Sequence, residues 1–181
     1  MIDLDLVDMD GVLVNFEKGF LDIWRTRYPD EYYRPLNERT TFKIEDNYPG
    51  ELEYMIWDIF QGQGFFLNLE PIEGAIGGVK KMAEETDIFI CTAPLFPSKY
   101  CVPEKYEWVE RHLGKEFAKK IILTKDKTLV RARFLIDDKP EIKGLCTPEW
   151  EQLVFEQPYN RDVMGKRRIN WSNWKEVLEN A

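Results

Sequence analysis

Short apolar runs and helical periodicities alternate along the chain, and this alternation predicts βα units on a parallel sheet. Ile2 to Val7, Asp87 to Thr92, Lys120 to Thr124, Arg133 to Asp137 and Gln152 to Phe155 have strand length and strand composition. Between them, Phe16, Phe20, Ile23, Trp24 and Tyr28 recur at helical spacing, as do Ala75, Ile76, Val79, Met82 and Ala83. Pro103 fits the first turn of a helix that would present Tyr106, Val109 and Leu113 on one face, and Ser172 is placed to cap a last helix carrying Trp174, Val177 and Leu178. The first strand carries a conflict: Asp3 and Asp5 interrupt what should be an apolar central strand. Arg34 to Gly64 breaks the alternation, being polar, aromatic and rich in Pro and Gly, with one helix expected around Glu51 to Phe60. It reads as an insertion above the carboxyl ends of the strands, where open α/β sheets bind ligands. The expected organisation is a core of residues 1–30 and 65–181 with a small, mostly helical cap over 31–64, inserted after the first strand and helix.

Composition narrows the class. With 181 residues, 44% hydrophobic and 32% charged, the chain suits one globular domain with a sizeable core. The formal net charge of -8 argues against long nucleic acids and anionic membrane surfaces as partners, so an anionic substrate would need locally placed lysines or a bound cation. No apolar run approaches membrane-spanning length, the N-terminal segment is acidic where a signal peptide would be basic, and Cys91, Cys101 and Cys146 make no paired framework. A cytoplasmic protein with reduced thiols is expected. A homodimer is among the assemblies that the sequence allows.

The chemistry gathers after the strands: Asp8 and Asp10 after the first, Thr92 after the second, Lys125 and Lys127 after the third, Asp137 and Asp138 after the fourth. Strand ends of a parallel sheet converge on one edge, and Gly11 permits a sharp turn behind the first pair. Clustered carboxylates must raise their pKa values or bind a cation; with oxygen ligands alone on offer, that cation is expected to be Mg²⁺. Such a site suits phosphoryl transfer.

The ordered set DMDG at 8–11, CT at 91–92, TKDK at 124–127 and IDD at 136–138 resembles the haloacid dehalogenase (HAD) superfamily. More narrowly, DMDGVLVNFE, FFLNLEPIEGA, DIFICTAP, KYCVPEKYEWV, LTKDKT and LIDDKPEI resemble the 5'(3')-deoxyribonucleotidases. The resemblance implies a Rossmann-like three-layer α/β fold and hydrolysis of a nucleoside monophosphate. In that reading Asp8 is the nucleophile and Asp10 the general acid and base, its carbonyl facing the metal. Asp137 is a direct Mg²⁺ ligand with Asp8, and Asp138 holds metal-bound water or the outer ligand shell. Thr92, Lys127, Lys105 and Lys139 would contact phosphate or its surroundings, and Phe16, Phe42 and Phe60 the nucleoside. Lys127 is chosen over Lys125 on the family pattern. Four positions depart from that pattern: Ala93 stands where a serine is frequent, Lys43 where a second aromatic is usual, Phe60 where a tryptophan occurs and Lys139 where an arginine occurs.

Two other readings compete. A HAD phosphatase acting on a non-nucleotide phosphoester would share every core residue. A receiver-like phospho-acceptor module uses similar groups, but it lacks an insertion after the first strand and does not place its acidic pair last. His112 and the basic run Lys166 to Arg168 are read as uninvolved, the latter as an exposed loop, and Trp108, Trp150, Trp171 and Trp174 as packing.

Overall fold

The computed structural model describes residues 4–96 and 98–180. The strands are β1 Leu4–Val7, β2 Asp87–Thr92, β3 Ile121–Leu123, β4 Phe134–Asp137, β5 Glu151–Phe155 and β6 Arg168–Ile169. The helices are α1 Phe16–Arg27, α2 Glu53–Gln61, α3 Ala75–Met82, α4 Cys101–Leu113, α5 Lys115–Ala118 and α6 Trp174–Glu179. All strand pairs are parallel, in the order β3-β2-β1-β4-β5-β6. The expected α/β fold with five strands is therefore present, with β6 added at one edge; Ile2 and Asp3, at the expected start of the first strand, lie outside the described residues.

Both faces of such a sheet must be covered, and strand alternation sorts the residues between them. Val7, Ile88, Ile90, Ile136 and Leu153 join a large cluster with α1, α2, α3 and α4, whereas Leu6, Cys91 and Leu135 join a smaller one with Trp150. The conflict at Asp5 resolves in the sheet itself. Its carboxylate, fully buried, accepts from Arg133 Nε at 3.1 Å and Nη2 at 2.7 Å, a fork that satisfies the charge.

Three expectations need correction. Tyr106 is 49% exposed. Val109 and Leu113 are buried as expected, in a stripe that also runs through Cys101, Lys105 and Trp108, and Tyr106 is turned about 100° away from Lys105. Ser172 does not cap α6: its hydroxyl donates to Asn170 Oδ1 at 2.6 Å in the preceding turn, and Asn173 holds the cap position. Lys166 to Arg168 is not a solvated loop. Arg167 forks onto Glu151 at 2.7 and 2.9 Å, Lys166 donates to Gln152 Oε1 at 2.6 Å, and Arg168 enters β6 and donates to the Asn160 carbonyl at 2.9 Å. The four tryptophans are buried, as read.

Residues 34–64 hold short 3₁₀ turns and α2. Ile44, Tyr48, Met55, Ile56, Ile59 and Phe60 pack in the same cluster as Phe20 and Trp24 of α1. The early part of the segment reaches the loops beyond β4 and β5: the Phe42 and Tyr159 rings lie 5.8 Å apart, and Lys139 Nζ is 5.7 Å from the Phe42 centroid.

The Asp5 pairing generates a stability prediction. Arg133→Met strands a buried carboxylate and is expected to cost about 1–3 kcal/mol. Arg131→Met, which opens the solvent-exposed pair with Glu149, is expected to cost about 0–1 kcal/mol. Urea unfolding midpoints check the order; equal losses would contradict it.

Candidate active site

The turn after β1 separates core from cleft by alternation. Met9 is fully buried, while Asp8 and Asp10 on either side face the carboxyl edge of the sheet. Gly11 has φ +74°, and a Cβ there would fall on Asp138 Oδ2, so the turn requires glycine on both counts. Leu13 N and Val14 N then donate to the Met9 carbonyl at 2.8 and 3.0 Å and close the loop.

Lys127 sits at the centre. It is 6% exposed, and its ammonium contacts Asp8 Oδ1 at 2.8 Å and Asp137 Oδ2 at 2.6 Å. Asp126 aims it: its carboxylate accepts from Thr128 N at 2.9 Å and Leu145 N at 2.8 Å, and Trp150 Nε1 donates to the Lys127 carbonyl at 3.2 Å. Lys125, two residues away, is exposed and lies 4.8 Å from the Phe96 ring centroid, so the two lysines of this loop have unlike surroundings.

Asp8, Asp137 and Asp138 bring carboxylate oxygens within 4.8 Å of one another. Burial raises Asp138 well above the usual carboxylate range, with Asp137 and Asp8 adding repulsion; burial also raises Asp137, against the pull of Lys127. One ammonium against three carboxylates leaves negative charge uncompensated. This all-oxygen donor set fits a hard divalent cation. The Asp10 carboxylate lies outside the cluster: it belongs to Lys105.

Lys105, reaching in from α4, is 1% exposed and donates to Asp10 Oδ2 at 2.6 Å, Thr92 Oγ1 at 2.7 Å and the Ala93 carbonyl at 3.0 Å. Its three N–H donors are thereby taken by protein groups. Asp10 Oδ1 has no hydrogen-bond partner among the described residues, and burial, with the neighbouring Asp8 adding to it, raises the Asp10 pKa against the pull of Lys105. Lys139 is exposed, and its backbone N–H donates to Asp137 Oδ1 at 2.8 Å.

The three phenylalanines separate. Phe16 and Phe60 lie 5.3 Å apart within an aromatic cluster that includes Phe65 and Phe20, and Phe60 is 4% exposed. Phe42 is 38% exposed and packs instead on Tyr159, between the loops after β4 and β5. His112 stacks on Trp108 at 4.4 Å, away from these groups.

Sequence reading missed the turn after β5. Tyr159 donates its hydroxyl to Asp138 Oδ2, Asn160 Nδ2 donates to the Asp138 carbonyl at 2.7 Å, and Gln157 Nε2 donates to the Gly11 carbonyl at 2.6 Å. The signal was available: polar residues follow this strand as they follow the other four. Glu104 was missed too. Beside Lys105 on α4, it accepts from the backbone N–H groups of Gly64, Phe66 and Leu67 at 2.6, 3.1 and 3.3 Å.

The parallel sheet with acidic groups at its carboxyl edge has the haloacid dehalogenase-like fold. A haloacid dehalogenase-like protein from Agrobacterium tumefaciens shares the fold with a TM-score of 0.58 at 14% identity, with 99% of each chain covered. The family model "5' nucleotidase, deoxy (Pyrimidine), cytosolic type C protein" matches residues 2–180, and the chain belongs to that family. It is 44% identical to a putative 5'(3')-deoxyribonucleotidase of Bordetella bronchiseptica, covering 97% of this chain and 95% of the relative. It is likewise 44% identical to the human cytosolic 5'(3')-deoxyribonucleotidase, covering 96% and 92%. The enzyme class is phosphoric monoester hydrolase. Among the described residues no helix is long and apolar enough to cross a membrane.

The wall of the site carries a thiol prediction. Cys91, beside Thr92, is fully buried, and burial pushes its pKa up to about 12; Cys101 is also buried and raised, whereas Cys146 is exposed. Native protein treated with a disulfide reagent at pH 8 is expected to react quickly at one thiol of three, and at the other two only after unfolding. Two or more fast thiols in the native protein would contradict this packing.

Proposed function

We propose that this protein is a Mg²⁺-dependent 5'(3')-deoxyribonucleotidase that works through an aspartyl-phosphate on Asp8, with residues 31–64 acting as the cap over its nucleoside end. The observation that carries the reading is the sorting of two neighbouring aspartates by two lysines: Asp8 on Lys127, Asp10 on Lys105. Groups two residues apart thereby receive different environments, as an anionic nucleophile and a proton carrier require.

Lys127, 2.8 Å from Asp8 Oδ1, pairs with the nucleophile and aims its oxygen. Attack on phosphorus forms the Asp8 Oδ–P bond and breaks the bond to the nucleoside oxygen, which takes a proton from Asp10. Asp10 Oδ1, without a partner among the described residues, is the atom suited to carry that proton. Burial raises the Asp10 pKa above its ordinary value, the direction that favours a proton there. Water then attacks the same phosphorus, returning a proton to Asp10 and releasing phosphate and Asp8. The Thr92 hydroxyl accepts from Lys105, so its own hydrogen is left for a phosphate oxygen. Lys105 contributes charge and holds Asp10 and Thr92 in place. Lys139, exposed at the rim, supplies positive charge to the approaching phosphate.

Asp8, Asp137, Asp138 and the Asp10 carbonyl would hold Mg²⁺, which when bound neutralises charge on the transferring phosphoryl group. At the nucleoside end Phe42 offers an exposed ring face, while Phe16 of α1 and Phe60 of α2 pack together in the aromatic cluster between those helices. Aromatic faces tolerate any base, so base selection is expected to be weak, with dUMP and dTMP among the better substrates. An added 2'-hydroxyl finds no partner on such a surface, a penalty of about 1–3 kcal/mol, or roughly 5- to 150-fold in kcat/KM.

Phosphate release from dUMP, UMP and p-nitrophenyl phosphate tests this. Wild-type enzyme with Mg²⁺ should prefer dUMP over UMP by that factor. EDTA or Asp8→Asn should reduce all rates by several orders of magnitude. Full activity of Asp8→Asn would remove the mechanism, and equal rates on dUMP and UMP would favour a non-nucleotide phosphoester as substrate.

A further inference from the structure

Tyr159 touches two separate parts of the site. Its hydroxyl donates to Asp138 Oδ2, on the cation side. Its ring receives Phe42 edge-on at 5.8 Å and 76°, on the nucleoside side. Neither contact has slack. Tyr159 is 7% exposed, its turn is pinned by Gln157 on Gly11 and Asn160 on Asp138, and a Cβ at Gly11 would come within 3.0 Å of its hydroxyl oxygen.

The Phe42 end is equally constrained. Arg39, 4% exposed, pairs with Glu17 of α1 and donates to the carbonyls of Thr41 and Phe42 at 3.0 and 3.3 Å, while its guanidinium lies 5.5 Å from the Tyr159 centroid. The backbone of Phe42 is thus tied to α1 and its ring to Tyr159. A carboxylate that ligates a metal needs its orientation set by an outer partner, and Asp138 finds that partner in the same side chain that supports Phe42.

We infer that Tyr159 is a positioning residue with two separable tasks: its hydroxyl orients Asp138 toward the cation, and its ring seats Phe42 against the nucleoside. The inference rests on the proposed nucleotidase reading, and it assigns one side chain to both cation affinity and nucleotide selection. Removing the hydroxyl alone should disturb only the first; removing the ring should disturb both.

The test compares wild type, Tyr159→Phe and Tyr159→Leu as full chains. Mg²⁺ affinity is measured by calorimetry on substrate-free protein, and kcat and KM for dUMP and p-nitrophenyl phosphate are measured at saturating Mg²⁺. Tyr159→Phe should bind Mg²⁺ about 10- to 100-fold more weakly. It should keep the wild-type ratio of kcat/KM on dUMP to that on p-nitrophenyl phosphate. Tyr159→Leu should show the same Mg²⁺ defect and also lose about 5-fold or more of that ratio, through KM for dUMP, as expected for a lost aromatic support. Tyr159→Met replaces the leucine variant if the latter does not fold. Unchanged Mg²⁺ affinity in Tyr159→Phe, or an unchanged ratio in the ring-less variant, overturns the proposal while leaving the nucleotidase reading standing. A wild-type protein that releases no phosphate from dUMP overturns both.

Discussion

Lys127 is the ammonium on which the rest of the site depends. It is buried between Asp8 and Asp137, and Asp138 stands within the same carboxylate cluster. A buried lysine is stable only when paired, and three buried carboxylates are stable only when neutralised, so each makes the other tolerable. The balance is incomplete by charge count, and that deficit gives a cation a reason to bind. The surrounding structure keeps this arrangement from relaxing. Asp126 and Trp150 fix the loop that carries Lys127, Gly11 leaves room for Asp138, and the parallel sheet places β1 between β2 and β4 so that all the groups share one edge.

Helix α4 extends the same logic. Lys105 engages Asp10 and Thr92, and the adjacent Glu104 gathers three backbone N–H groups from residues 64–67, where the chain returns from α2. Successive residues of one helix turn thus hold the proposed proton carrier and the exit of the inserted segment. The apolar positions Cys101, Trp108 and Val109 bury the helix and bring both charges with it.

Much of this was legible in the sequence, for identifiable reasons. Five strands were read because apolar runs bounded by polar residues are a local signal, and the convergence of Asp8, Thr92, Lys127 and Asp137 follows from their being strand-end residues in one parallel sheet. β6 was not legible, since it is two residues long and begins with Arg168, whose guanidinium is taken up by Asn160 and Glu156 in the folded chain. The partner of Asp5 lay 128 positions away in Arg133, which no periodicity reports. The α4 face was misjudged at Tyr106 because Lys105 and Glu104 look like solvent-facing residues, yet they are buried by partners from other loops. Tyr159 escaped notice because a tyrosine after a proline reads as a turn, and its meaning comes from Asp138 and Phe42.

The central claim is that the carboxylate cluster carries uncompensated charge which a divalent cation relieves. Thermal unfolding of wild type and Asp138→Asn, each in EDTA and in millimolar Mg²⁺, tests it most directly. The account predicts that Asp138→Asn is at least as stable as wild type in EDTA, because one buried negative charge is gone, and that Mg²⁺ raises the midpoint of wild type but scarcely that of the variant. A variant that is less stable than wild type in EDTA, yet gains as much from Mg²⁺, would contradict it.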